Sequence, residues 1–151
     1  MNHGTLSAVA RATTRGVCRH LIDRGLAPLT EVTLATGRRV DVMALSPDGS
    51  ILVVEVKSCA ADFRADGKWG EYLEFCDAFS FAVPPDFPLD LLPATEGLII
   101  ADGHDAAVFR PPSPRPRLHA SRRKAVTQLF ATTAALRLRQ VLDPPAGSRL
   151  G

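Results

Sequence analysis

Residues 30–57 read TEVTLATGRRVDVMALSPDGSILVVEVK. Three apolar stretches are separated by two turn signals, Ala35-Thr36-Gly37 and Ser46-Pro47-Asp48-Gly49-Ser50, whose Gly, Pro, Asp and Ser residues favour reversal of the chain. The pattern predicts three strands in an antiparallel meander. Opposed residues in a hairpin have position numbers with a constant sum, and they share a face. A three-residue loop with Gly37 in the left-handed position puts Glu31 opposite Asp41. A three- or five-residue loop centred on Asp48 puts Asp41 opposite Glu55 and Arg39 opposite Lys57.

Under that register one face collects Val32, Leu34, Val40, Val42, Ala44, Leu52, Val54 and Val56, apolar except for Arg38, which predicts a face packed on a helix. The other face carries Met43, Leu45, Ile51 and Val53 toward one end and Glu31, Arg39, Asp41, Glu55 and Lys57 at the other. Opposed Cβ atoms lie about 4.5–5.5 Å apart, so the carboxylates converge. Converging carboxylates repel unless a proton or cation intervenes, and a hard divalent ion takes such oxygen ligands. Lys57 beside them suits the handling of a phosphate and an attacking water. An even-numbered loop would scatter these residues onto both faces, and the plain alternative is an ion network on a sheet surface.

Around the meander the order of elements is regular. Leu6, Val9, Thr13, Val17 and Leu21 recur at helical spacing over residues 5–24, before Gly25. Arg11, Arg15 and Arg19 form a stripe on another side of that helix; solvation is its default role and phosphate contact the second. After Lys57 a loop, CAADFRADG, leads to a helix predicted from Lys68 to Asp77, then a strand FSFAV ending at Pro84. Strands at 97–101 and 106–110 flank the turn Asp102–Asp105. The Pro-rich connector PPSPRPR precedes a helix predicted from Ser121, as N-cap, to Leu142. Residues 1–142 thus form one domain and 143–151 a disordered tail.

The chain has 151 residues, 46% of them hydrophobic and 23% charged, the composition of a soluble globular protein. It has no apolar run of membrane-spanning length and no signal-peptide core. Cys18, Cys59 and Cys76 are odd in number and lack zinc-type spacing; they point to a reduced, cytoplasmic setting. The net charge of +2 conceals segregation: residues 1–40, 41–105 and 106–151 carry about +4, −10 and +8. A basic surface facing an acidic pocket suits a metal-using protein acting on a polyanion, although solvated helix faces explain the same charges.

Asp41 followed by a hairpin and Glu55-Val56-Lys57 resembles the PD-(D/E)XK nuclease superfamily. More specifically, RRVDVMAL (38–45), the stretch 51–88, EGLIIAD (96–102) and SRRKA (121–125) resemble the MmcB-type family of bacterial DNA-repair proteins, over all but the two termini. The resemblance implies an α/β, restriction-endonuclease-like fold, with a central mixed sheet, an antiparallel three-strand meander and flanking helices. It implies Asp41 and Glu55 as metal-binding carboxylates for Mg²⁺ or Mn²⁺, Lys57 as catalytic lysine and the Val56 carbonyl as a further metal contact. Many superfamily members take an extra acid from the first helix. Here only Asp23 stands there, near its end, so Glu31 is the substitute ligand.

Lys68 and Tyr72, one helical turn apart, are placed to share a face with this site. Trp69 and Phe75 read as core, Asp77 as a structural partner, and His20 and His104 as solvent-facing. Arg122, Arg123 and Lys124 in the first turn of the last helix oppose the helix dipole, which a phosphate backbone or plain solvation would relieve. With Arg11, Arg15 and Arg39 they make up the expected DNA contacts. The function expected is metal-dependent phosphodiester hydrolysis on DNA during repair, alongside other repair proteins. The alternative is a nuclease-like DNA-binding or adaptor module without catalysis.

Overall fold

The structure, a computed structural model, describes residues 7–65 and 67–147. Ser7 starts the first helix: its Oγ accepts the Ala10 N–H at 3.0 Å, satisfying a helix-end donor that would otherwise lack a partner. Helix α1 (Ala8–Asp23) buries Ala10, Thr13, Gly16, Val17 and Leu21. Val9, expected on the buried stripe, is largely exposed, because the stripe is centred one residue later on Ala10. Leu6, another member of the expected stripe, lies outside the described residues.

The meander forms as β1 (Ala27–Thr33), β2 (Arg39–Leu45) and β3 (Ile51–Val56). Its registers are those of the loop arithmetic: Ala27 faces Leu45, Thr33 faces Arg39, Val42 faces Val54 and Leu45 faces Ile51. Gly37 and Gly49 each close a turn at φ 87°, a conformation most L-residues avoid. Beyond β3 come α2 (Ala60–Ala65), a 3₁₀ segment (Trp69–Phe75), β4 (Ala78–Val83), a short 3₁₀ turn (Leu89–Leu91), β5 (Gly97–Ala101), β6 (Ala106–Arg110) and α3 (Ala120–Leu142). The six strands make one mixed sheet in sequence order, parallel at β3–β4 and β4–β5 and antiparallel elsewhere.

Helix α1 covers one face, packing with Val42, Ala44, Val54, Val56, Ala82, Ile99 and Ala101. The opposite face carries Met43, Ile51, Val53, Phe79, Phe81, Val83 and Leu98 under Tyr72, Phe75 and Val126. Trp69 stacks on Phe79 at 5.5 Å between centroids and meets Phe81 edge-on at 5.2 Å, a favoured aromatic geometry.

Four expectations need correction. Val32, Leu34 and Val40 bury with Tyr72 and Phe75, not against α1. Strict alternation fails here because Glu31 sits at φ 51° and no regular Asp41–Glu55 pairing exists, so the hairpin tip crosses to the other layer. The stretch read as a loop after Lys57 contains α2, where the Asp62 carboxylate accepts the Ser58 N–H at 3.1 Å and closes the first turn. The segment read as an α-helix is 3₁₀: Trp69, Tyr72 and Phe75 recur every third residue, the period that aligns them along a 3₁₀ edge. Helix α3 starts at Ala120 with His119 as its cap, and without a side-chain capping bond, so Ser121 lies inside it. Of the expected tail, residues 143–147 form the helix cap and a turn; residues 148–151 lie outside the described residues.

Candidate active site

At the hairpin end of the sheet, β2 and β3 stop pairing main chain to main chain. The last regular pair is Val42–Val54. One residue further on, the Asp41 N–H donates to Glu55 Oε1 at 3.0 Å, and the Val56 N–H donates to Asp41 Oδ2 at 2.8 Å. Each strand's carboxylate thus takes an amide that a regular ladder would have given to a carbonyl. The strands part while their buried donors stay satisfied.

The parting opens a cavity of about 490 Å³, lined among others by Asp41, Glu55, Val56, Lys57, Asp62 and Tyr72. Glu55 and Lys57 are each only 4% exposed, and Asp41 is half-buried. Burial is the main force on the acid pair, raising both pKa values; Glu55 is pushed to about 9, with the Asp41 charge adding to the rise. The amide hydrogen bonds and Lys57 pull the other way. The two carboxyls hydrogen-bond each other, and burial together with their mutual repulsion favours a proton shared by the pair.

The expected triad of Asp41, Glu55 and Lys57 therefore converges. Glu31 lines the same cavity, yet among the described residues no three His, Cys, Asp or Glu side chains gather closely enough to hold one metal ion. Its left-handed backbone takes Glu31 out of the ladder, and its carboxylate lies 3.9 Å from Arg39. Glu31 thus shares the cavity with Asp41 and Glu55 while its carboxylate is turned to Arg39. The Thr30 and Glu31 carbonyls instead accept from the Arg137 guanidinium of α3.

Helix α1 supplies one wall, joining the expected contacts Arg11 and Arg15 with Thr14 and Cys18, which the sequence did not single out as part of the site. The four recur at i, i+3, i+4 and i+7, one face of a helix. That periodicity was present in the sequence, but the polar face reads by default as solvated.

A family model described as DNA repair protein MmcB-like matches residues 1–145. The chain belongs to the MmcB-like family. Among solved structures, SPO1766, a protein of unknown function from Silicibacter pomeroyi, is similar at 45% identity and a TM-score of 0.88. The likeness covers 97% of this chain and 100% of that one. No curated protein matches.

The basic residues of this MmcB-like chain divide into two groups. Arg11 and Arg15 border the cavity, while Arg39 is exposed beside Glu31. Tyr72 is on the cavity wall and its hydroxyl donates to the Arg39 carbonyl at 3.4 Å. Lys68 is exposed at the start of the 3₁₀ segment and outside the cavity lining.

Two of the three expected phosphate contacts on α3 make contacts within the domain. Arg123 binds Asp77 through two hydrogen bonds of 2.7 and 2.6 Å and also donates to the Gly49 carbonyl. Arg122 lies 4.7 Å over the Phe75 ring. Lys124 is exposed. Upstream, Arg115 pairs with buried Glu96, and Arg110 donates to the Glu96 and Pro93 carbonyls. The Pro-rich connector forms no regular structure, and these bonds tie it to the domain. No helix among the described residues is long and apolar enough to cross a membrane.

Proposed function

We propose that this DNA-repair family member is a metal-dependent deoxyribonuclease with a restriction-endonuclease-like, PD-(D/E)XK core. The observation that carries the reading is the parting of β2 and β3 at Asp41 and Glu55 above buried Lys57. A surface ion network would leave these side chains in water, where a shared proton is not needed. The helix–meander–helix–parallel strand order supports the superfamily assignment.

The donor set agrees with a hard cation. Asp41 and Glu55 offer oxygen only, they repel when both are ionised, and a divalent ion would take the place of the shared proton. Two carboxylates completed by water and a substrate phosphate match Mg²⁺ better than an all-protein cage. Bound there, Mg²⁺ or Mn²⁺ would neutralise phosphate charge and acidify water. The protein's own groups do the rest. Lys57 orients the attacking water and stabilises charge on the non-bridging oxygens. The α1 arginines hold the backbone, and the cavity limits bulk water around the scissile bond. Water adds to phosphorus and gives up a proton to solvent, the bond to the sugar oxygen breaks, and that oxygen leaves with a proton taken from solvent.

The test is a cleavage panel of single-stranded, duplex, flap and branched DNA with Mg²⁺ or Mn²⁺. Wild type cuts at least one form, and Asp41→Asn or Lys57→Ala lowers the rate about a hundredfold or more with unchanged circular dichroism. Salt-sensitive binding without any cleavage would leave the adaptor role in its place.

A further inference from the structure

We infer that the cavity takes an unpaired DNA strand, and that the arginine stripe of α1 is the track along which the strand enters. This rests on the nuclease reading only for the location of the reacting phosphate. The acids line a cavity of about 490 Å³, a volume typical of a small-ligand site. It has room for about one nucleotide, not for a duplex. With Glu55 and Lys57 almost inaccessible and α1 forming one wall, the convex backbone of a blunt duplex meets the rim. An unpaired strand, flap or tail bends its backbone inward without breaking base pairs or stacking.

The stripe supplies the rest. Arg15 borders the cavity and Arg19 lies one turn beyond it, both exposed. Four residues of helix advance about 6 Å, comparable to the phosphate repeat of an extended strand. Arg11 continues the same row along the cavity wall. Helix α1 itself carries a single acid, Asp23, in its last turn, where Asp23 and Asp105 flank Arg19. The acids next to the row thus sit at its far end and inside the cavity, with Asp41, Glu55, Glu31 and Asp62. A basic groove that tracks the backbone is one of the two usual elements of single-strand binding, the other being aromatic side chains that stack on the bases.

Fluorescence anisotropy of the wild-type full chain in chelator separates binding from any cleavage. The probes are a labelled oligothymidine, a blunt duplex, the same duplex with an unpaired tail, and an oligouridine. Duplex has the denser charge and would win if attraction were purely electrostatic. The inference expects the oligothymidine and the tailed duplex to bind about tenfold tighter than the blunt duplex. Single-strand affinity falls with salt by about 0.7 log units per log unit for each phosphate held.

Arg15→Ala combined with Arg19→Ala removes two such contacts, flattening the slope by about 1.4 and weakening strand binding about tenfold. Both side chains are exposed, and circular dichroism confirms the fold. Equal or tighter binding of the blunt duplex, tighter binding of oligouridine, or an unchanged slope in the double variant overturns the inference. A chain that prefers the unpaired strand yet cuts nothing with Mg²⁺ supports the track and sinks the nuclease. Blunt-duplex cleavage at the rate of a flap sinks the track and keeps the nuclease.

Discussion

Glu55→Gln tests the shared proton at the heart of the site. Glutamine keeps an oxygen for the Asp41 N–H and can donate to the Asp41 carboxylate, so the fold is preserved. In wild type, burial and Asp41 raise the Glu55 pKa from 4.5 to about 9. A carboxyl raised on folding contributes stability that is fully present below its unfolded value and lost as pH climbs through its folded value. Between pH 6 and 8 the native state then holds about one proton more than the unfolded chain. Stability falls by about 1.4 kcal/mol per pH unit, about 3 kcal/mol across the window. For a domain of this size that lowers Tm by roughly 6–12 °C. The assay is thermal or urea unfolding of the metal-free protein at several pH values. Wild type slopes downward and Glu55→Gln, having no proton to lose, does not share that component. Added Mg²⁺ stabilises wild type more at pH 8 than at pH 6, because the proton it displaces is released more easily at lower proton activity. Parallel pH profiles for wild type and Glu55→Gln between pH 6 and 8 would refute the shared-proton account.

Two further predictions concern the scaffold. The Asp77 carboxylate accepts from the Ile51 and Leu118 N–H groups as well as from Arg123, and Arg123 beside it holds its pKa well below the usual range. Asp77→Ala should cost about 3–5 kcal/mol in urea unfolding. The Asp77 contribution, present above the normal carboxylate pKa, should be lost progressively as pH falls from there through the depressed folded value. Gly16 packs against the turn between β5 and β6, where an added Cβ would run into the backbone carbonyls of Asp102 and Asp105. Gly16→Ala should therefore destabilise by about 1–3 kcal/mol despite its better helix propensity, and a more stable variant would contradict the close approach.

Legibility differed from one part of the molecule to another. Hairpin registers were readable because loop length and a turn glycine determine them, and with them the convergence of Asp41, Glu55 and Lys57. What could not be read was how those acids are held. Alternation assumes an unbroken ladder, whereas here a side chain replaces a carbonyl on each strand, and the hairpin tip carries Val32, Leu34 and Val40 into the other layer. The same limit applied to charge. Arg123 and Arg115 stand in a basic stretch that suggests phosphate, but Asp77 and Glu96, which bind them, are 46 and 19 positions away. Only the three-dimensional fold brings these pairs together.

The opening of the site depends on three departures from regular structure at one end of the sheet. Glu31 turns left-handed, Arg137 of α3 takes up the carbonyls at Thr30 and Glu31, and Asp41 and Glu55 accept each other's neighbouring amides. A continuous ladder would have presented a flat surface with its carboxylates in water. Interrupting it leaves donors and acceptors that must be satisfied, and the proposed metal ligands satisfy two of the donors themselves. The acids are therefore structural as well as chemical. Truncating Asp41 to alanine would strand the Val56 N–H in a buried position, at a cost of about 1–3 kcal/mol, so lost activity in that variant could reflect damage to the site's backbone. Asparagine, which keeps the acceptor and removes the charge, isolates the chemistry from the scaffold.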